Sequence, residues 1–352
     1  MREITVDLGA IRANYAAIKA QTNAKVMAVS KANAYGHGMI EVARALEQVG
    51  VDALGVADLT EAIALREAGI QSRVMCWILD PEADLSIAKD LDIELGISTF
   101  EQLERLAPGT KIHVKVDTGL GRNGFSTLDW EKLFGLLPKF QPVGIFSHLS
   151  NTSVSDDLKQ KASFEKAIAL AEQSGVTFVE RHLAASAATL SYPDFHFDMV
   201  RVGIALYGLN PFEDRELGLD LKPAMRVSAH LVNVKRVSAG QGVSYGYRYV
   251  TERQTTLGVV PFGYAEGLPR ISEGYEVSHA GTLYPVVGRV AMDQFVVDFG
   301  DAAVAVGDEV VIFGSGADGE LGAEELGASA KSINYEVVTR IGGRATRRYL
   351  GQ

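Results

Sequence analysis

Cysteine is almost absent. The single Cys76 sits in the apolar run Val74-Met75-Cys76-Trp77-Ile78-Leu79, which excludes an internal disulfide and reads as core packing. Long hydrophobic runs are missing too, and no stretch approaches the ~20 apolar residues that cross a bilayer. Positive charge is in deficit: the formal net charge is −10 over 352 residues. With no basic patch to neutralise phosphates, a nucleic-acid partner is excluded. The opening MREITVDLGAIRANY carries no apolar core of an export leader, so the expected location is the cytoplasm. No internal repeat and no low-complexity segment interrupts the chain.

What remains is a well-packed globular composition, 47% hydrophobic and 22% charged, on a chain long enough for a large barrel and a smaller partner. From residue 26 to about 208, apolar runs alternate with amphipathic segments. The runs are Val26–Ser30, Asp52–Ala57, Arg73–Leu79, Asp92–Ile97, Lys111–Asp117, Val143–Leu149, Thr177–Ala184 and Val200–Tyr207. Between them, IEVARALEQVG, TEAIALREAG, TFEQLERLA and KASFEKAIALAEQSG repeat apolar residues at three- and four-residue spacing, the period of a helix. Near-continuous apolar strands alternating with helices mean a parallel sheet, and eight such units point to a (β/α)8 barrel. A doubly wound open sheet is the alternative. After about residue 215 the chain turns β-rich and glycine-punctuated, as in TTLGVVPFGYAEG and YEVSHAGTLYPVVG, until EELGASAKSI restores a helical period. The expected organisation is a barrel over residues 1–217 and a mostly β domain over 218–352, the composition shifting near Lys222 and Pro223.

Gly119-Leu120-Gly121-Arg122-Asn123-Gly124 matches the G-x-G-x-x-G pattern of dinucleotide sites. It follows the fifth βα unit rather than the first, and no helix opens inside it, so the dinucleotide reading fails. A loop that places Arg122 fits better. In such barrels function resides at the C-terminal ends of the strands, and the uncommon polar residues gather there. Lys31 ends the first strand, followed by Tyr35 and His37; Arg122 follows the fifth and His148 ends the sixth. Ser186 follows the seventh, and Arg201, Gly203 and Ile204 surround the eighth. Each alone is unremarkable, since a strand-end lysine is usually just solvated and a lone histidine usually just hydrogen-bonded. Together on one rim, with the loops that commonly bind phosphate, they suggest a lysine that carries a phosphorylated aldehyde cofactor.

These residues lie in strings that resemble alanine racemases. AVSKANAYGHG (28–38) is similar to the family's cofactor-lysine signature. KVDTGLGRNGF (115–125), SHLSN (147–151), HLAASAATL (182–190), DMVRVGIALYGLNP (198–211), VSYGYRY (243–249), GYAEG (263–267), VGRVAMDQ (287–294) and INYE (333–336) follow in the family's order. The resemblance covers nearly the whole chain and implies pyridoxal 5'-phosphate (PLP) as cofactor. It implies a homodimer whose subunits share each active site, and a role in making D-alanine for peptidoglycan. By this resemblance Lys31 holds the cofactor and is the base on one face of the substrate Cα, while Tyr245, reaching in from the partner subunit, is the base on the other. Racemisation requires two groups on opposite faces of a planar carbanion. His148 would link Tyr245 to Arg201, which His182 would buttress. Arg201 would face the pyridine nitrogen and keep it unprotonated, because adjacent positive charges repel. Arg122 would hold the substrate carboxylate, and Lys115 matches a lysine that is carbamylated in many members to support that arginine. Tyr35, Ser186, Gly203, Ile204 and Tyr335 would bind the phosphate. Met292, Tyr264 and Asp293 would line the substrate entrance.

The chain departs from the family pattern at Ala291, where cysteine is common, at Glu266, where aspartate is usual, and at Ala185, where asparagine often stands. Decarboxylases of the same fold place an acidic group opposite the pyridine nitrogen and a cysteine near the substrate; Arg201 and the core-like Cys76 speak against them. A metal hydrolase would want His and Asp ligands, and no H-x-H pair ends the first strand. A non-catalytic binding module would have no need of Tyr245 besides Lys31.

Overall fold

Strand β1 (Arg2–Asp7) leads the chain and is followed by eight strands: β2 (Lys25–Val29), β3 (Ala53–Asp58), β4 (Val74–Ile78), β5 (Ile93–Ile97), β6 (Ile112–Lys115), β7 (Gly144–Phe146), β8 (Glu180–His182) and β9 (Met199–Val202). In the computed structural model, which describes residues 1–140, 142–212, 214–271 and 274–351, these eight form one parallel sheet in the order β8-β7-β6-β5-β4-β3-β2-β9. The Asp198 N–H donates to the Arg181 carbonyl (3.0 Å) and the Arg201 N–H to the Ala184 carbonyl (2.9 Å), which brings β9 back to β8 and nearly closes the ring. All eight apolar runs become barrel strands. Several are shorter than their runs, β6, β7 and β8 among them; β9 stops at Val202, and Ile204–Tyr207 is a 3-10 turn.

Alternate residues of each barrel strand meet inside. Met27, Ala53, Met75, Phe146 and Met199 form an apolar cluster with Trp77 against it. Cys76 is buried, as its setting implied. The helix Val154–Gln173 begins before the KASFEKAIALAEQSG periodicity does, because the Ser153 hydroxyl caps it by accepting the Asp156 N–H.

The barrel belongs to a compact unit of residues Tyr15–Ala34 and Met39–Leu206; Met1–Asn14, Tyr35–Gly38 and the chain from Tyr207 onward form a second. The second unit contains β10 (Met225–His230), β11 (Asn233–Val237), β12 (Gly242–Val243), β13 (Tyr249–Val250), β14 (Thr255–Val260), β15 (Glu276–His279), β16 (Thr282–Val287), β17 (Phe295–Asp298), β18 (Glu309–Phe313) and β19 (Thr346–Leu350). Strand β1 pairs here, antiparallel to β10 and parallel to β19, whereas the sequence reading assigned residues 1–217 to the barrel. The reason is legible in REITVD: Ile4 and Val6 are buried and their neighbours are not. That is the period of a half-buried strand, not of a barrel strand covered on both faces. The helices Ala323–Ser329 and Asn334–Arg340 complete this unit.

Candidate active site

Lys31 follows β2 at the C-terminal rim of the barrel, and the backbone after it is unusual. Ala32, Asn33, Ala34 and Tyr35 all have φ between 52° and 55°, one turn of left-handed helix, which costs about 1–2 kcal/mol per residue without glycine. Local bonds offset that strain. The Glu61 carboxylate accepts the Ala32 N–H (2.6 Å) and the Ala57 N–H (2.8 Å). Asn33 Oδ1 accepts the Met39 N–H (2.9 Å). Burial, opposed only in part by Glu61, and the charges of Arg122 and Arg201 hold the Lys31 amine below the usual lysine range. A lysine so placed is a better base and nucleophile near neutral pH.

Arg201 lies on β9 and is 5% exposed. Its guanidinium donates to the carbonyls of Ser147 (2.6 Å), His182 (2.9 Å) and Leu183 (3.1 Å), and lies 3.3 Å from His148 Nδ1 and 3.2 Å from His182 Nδ1. Burial lowers its pKa to about 10, so it stays cationic at neutral pH. His148 is held at about 3, by burial first and then by the charges of Arg201, Arg122, Lys115 and Lys31. It is therefore a neutral imidazole, and its Nδ1 accepts from the arginine. Ser186 is buried, and its Oγ accepts the Gly203 N–H at 3.0 Å. Ile204 follows in the 3-10 turn.

The glycine loop after β6 is a folded turn. Asp117 Oδ1 accepts the N–H groups of Gly119 (2.9 Å) and Gly121 (3.2 Å). At Gly124 φ is +123°, and a Cβ would lie 2.9 Å from the Asp117 nitrogen, so only glycine fits. No helix starts within the loop, which leaves Arg122 exposed at its tip. Lys115, at the end of β6, is buried with its ammonium 5.5 Å from the Phe146 ring centre. Burial and the charges of Arg201 and Arg122 lower its pKa to about 8. The structure thus brings Lys31, Lys115, Arg122, His148 and Arg201 into one electrostatic field.

In the second unit Tyr35 is buried against Tyr207 (ring centres 5.1 Å apart) and Tyr335 (6.2 Å). His37, two residues on, stacks on Tyr207 at 4.4 Å and reads as core. Tyr245 is 71% exposed and Met292 54%. Tyr264 opens the turn Tyr264–Glu266, and Asp293 pairs with Arg344 (2.7 Å). Glu266, the departure from the usual aspartate, is fully buried; its Oε2 accepts the Gly263 N–H (2.9 Å) and its Oε1 pairs with Arg344 (2.5 Å). It holds the turn together.

Sequence reasoning missed Glu61, and it missed Arg73, Glu94 and His113 inside the barrel. The missed signal was a charged or ionisable residue within or beside an apolar strand run, as in IELGI and KIHVK. Such residues are rarely buried unless paired.

Fold and rim together define a (β/α)8-barrel enzyme with an activated lysine and a cationic site for small anionic molecules. Residues 6–211 match the family model for the alanine racemase N-terminal domain, and residues 224–349 that for the C-terminal domain. The alanine racemase of Beutenbergia cavernae is 43% identical over 98% of this chain and 97% of its own. The crystal structure of the enzyme from Streptomyces lavendulae superposes with a TM-score of 0.96 at 42% identity, covering 99% of this chain and 97% of that one. That from Streptomyces coelicolor A3(2) gives 0.95 at 40%, covering 100% and 98%. The chain belongs to the alanine racemase family, whose members are isomerases that interconvert L- and D-alanine.

Proposed function

We propose that this chain racemises alanine with pyridoxal 5'-phosphate held on Lys31, as a cytoplasmic homodimer supplying D-alanine for peptidoglycan. The observation that carries the assignment is the Lys31 amine, held below the usual lysine range by burial and by Arg122 and Arg201. An amine bonds an aldehyde only when neutral; Lys115 shares the lowered pKa, but Lys31 stands at the open rim after β2, where a cofactor can reach it. The remaining donors also fit an anionic, phosphorylated aromatic: a buried arginine, an exposed one, a buried serine hydroxyl and two tyrosines with tilted rings 6.2 Å apart. When bound, PLP withdraws electrons from the substrate Cα and so acidifies its hydrogen.

The chain's own groups do the rest. Lys31 Nζ takes or returns the Cα proton on one face, and the Tyr245 hydroxyl of the partner subunit does so on the other. Arg201, buried and cationic, would meet the pyridine nitrogen of the bound cofactor and keep it unprotonated. His148, neutral and hydrogen-bonded to Arg201, orients Tyr245. Arg122 holds the substrate carboxylate through its planar fork. Ser186, Gly203, Ile204, Tyr35 and Tyr335 would hold the phosphate; the Gly203 N–H and Ser186 Oγ are bonded to each other here. Met292, Tyr264 and Asp293 line the entrance. The exposure of Tyr245, Tyr247 and Met292 (71%, 68% and 54%) supports a second copy covering them. Lys115, buried with its pKa lowered to about 8, supplies a neutral amine that adds to carbon dioxide, losing one proton to become a carbamate beside Arg122. No helix among the described residues is long and apolar enough to cross a membrane.

The test is direct. The purified protein should carry the visible absorbance of bound PLP and abolish the optical rotation of L-alanine. Without the absorbance the cofactor assignment fails; with it but without racemisation, the substrate assignment fails. Mixing inactive Lys31→Ala and Tyr245→Phe proteins should restore part of the activity if the two bases come from different subunits, and no restoration would place them in one chain.

A further inference from the structure

Arg201 is buried, and among the described residues no carboxylate pairs with it directly. Its nearest anion in the hydrogen-bonded series lies three links away. Arg201 Nη1 is 3.2 Å from His182 Nδ1; His182 Nε2 is 2.9 Å from His113 Nδ1; His113 Nε2 is 3.0 Å from Glu94 Oε2. Glu94 in turn takes two bonds from Arg73 (2.9 and 2.8 Å), and Arg73 two-pronged binds Glu180 (2.7 and 2.9 Å), which Lys25 also meets at 2.6 Å. The chain runs inside the barrel from the site to the opposite mouth. We propose that Glu94 is a positioning residue for Arg201, acting through His113 and His182; its link to the reaction rests on the assignment of Arg201 to the cofactor.

Hydrogen bonding leaves one arrangement. An ionised carboxylate only accepts, so His113 Nε2 carries a hydrogen. Were His113 also protonated at Nδ1, His182 Nε2 would have to accept, and His182 Nδ1–H would then oppose the Arg201 N–H. The conflict disappears only when both rings are neutral with the hydrogen on Nε2. Every donor then points from Arg201 toward Glu94, and two imidazole dipoles join the buried cation to the anion. Burial opposes ionisation of Glu94, but the hydrogen bonds from His113 and Arg73 outweigh it and hold the carboxyl at about 2. Burial, His113 and Arg201 keep the His182 imidazole far below its usual range. The site is built to admit these rings: a Cβ at residue 144 would lie 2.3 Å from His113 Nδ1, so Gly144 makes room for His113. His182 stacks on Phe146 with ring centres 4.9 Å apart and planes 4° off parallel.

Nitrogen-15 NMR of the full-length, PLP-loaded protein with labelled histidine reads the tautomers. Both rings should be neutral with hydrogen on Nε2 at neutral pH; an imidazolium or an Nδ1–H form at either ring would overturn the proposal, and this measurement needs no variant. In Glu94→Gln the single arrangement should be lost, with kcat falling on the order of tenfold and KM for alanine little changed. In Glu180→Gln, which leaves Glu94 on His113, both tautomers should persist. Unchanged tautomers in a folded Glu94→Gln would overturn the relay. Changed tautomers with kcat and the cofactor's absorbance unmoved would overturn its link to the reaction.

Discussion

The two mouths of the barrel treat charge in opposite ways. At the N-terminal mouth each cation has a carboxylate: Arg73 spans Glu94 and Glu180, and Lys25 completes the set. At the C-terminal rim Lys31, Lys115, Arg122 and Arg201 crowd together, and burial first, then their mutual repulsion, lowers the pKa values of Lys31, Lys115 and His148. The first arrangement stabilises the folded chain. The second destabilises it until an anion arrives, and a site kept at such a cost is a functional one. A phosphate and a substrate carboxylate would supply the missing charge.

This contrast can be broken or sharpened by substitution at either end. The largest effect belongs to Lys31→Ala, which should lower racemisation about a thousandfold or more, the scale of a lost general base, while thermal unfolding barely shifts. Residual activity near the native level would remove Lys31 from the chemistry. At the other mouth, Arg73→Leu leaves the buried Glu94 and Glu180 without their shared cation and should cost about 3 kcal/mol in denaturant unfolding. An unchanged midpoint would mean the N-terminal mouth is not a stability device. In protein freed of cofactor and of carbon dioxide, where Lys115 is an unmodified amine, Lys115→Met removes one of the crowded cations and should gain about 1 kcal/mol; a loss would show that the rim is not strained by its charge.

The smallest effect is on acid stability. Glu94 sits at about 2 against its ordinary 4.5, so its contribution is complete above pH 4.5 and fades as pH falls toward 2. His148 sits at about 3 against 6.5; the unfolded chain binds its proton first, so stability is lost as pH falls from 6.5 toward 3. Glu94→Gln should flatten the lower limb and leave the upper one. The reverse pattern in pH-dependent unfolding would contradict both placements.

Much of this was legible beforehand. The eight barrel strands came from continuous apolar runs, and the rim residues from their position after those strands. REITVD carries the alternation of a half-buried strand, but not which strands it joins, because β10 and β19 lie far along the chain and pairing across such separations leaves no local signature. Nor was the relay legible: Arg73, Glu94, His113 and Glu180 lie on separate strand segments, and only closure of the barrel brings them together. Glu266 was readable as a departure, but its burial beneath the turn Tyr264–Glu266 came only from the fold. The left-handed turn after Lys31 was hidden for a different reason. Alanine twice in that turn gives no hint of positive φ, and Asn33 alone favours it.

The central claim is that Lys31 is the residue that carries the cofactor. Borohydride reduction of the purified, PLP-loaded protein, followed by peptide mapping, tests it most directly. The account predicts a single labelled lysine, Lys31, in the peptide containing AVSKANAYGHG; label on Lys115 or on any other lysine would contradict it.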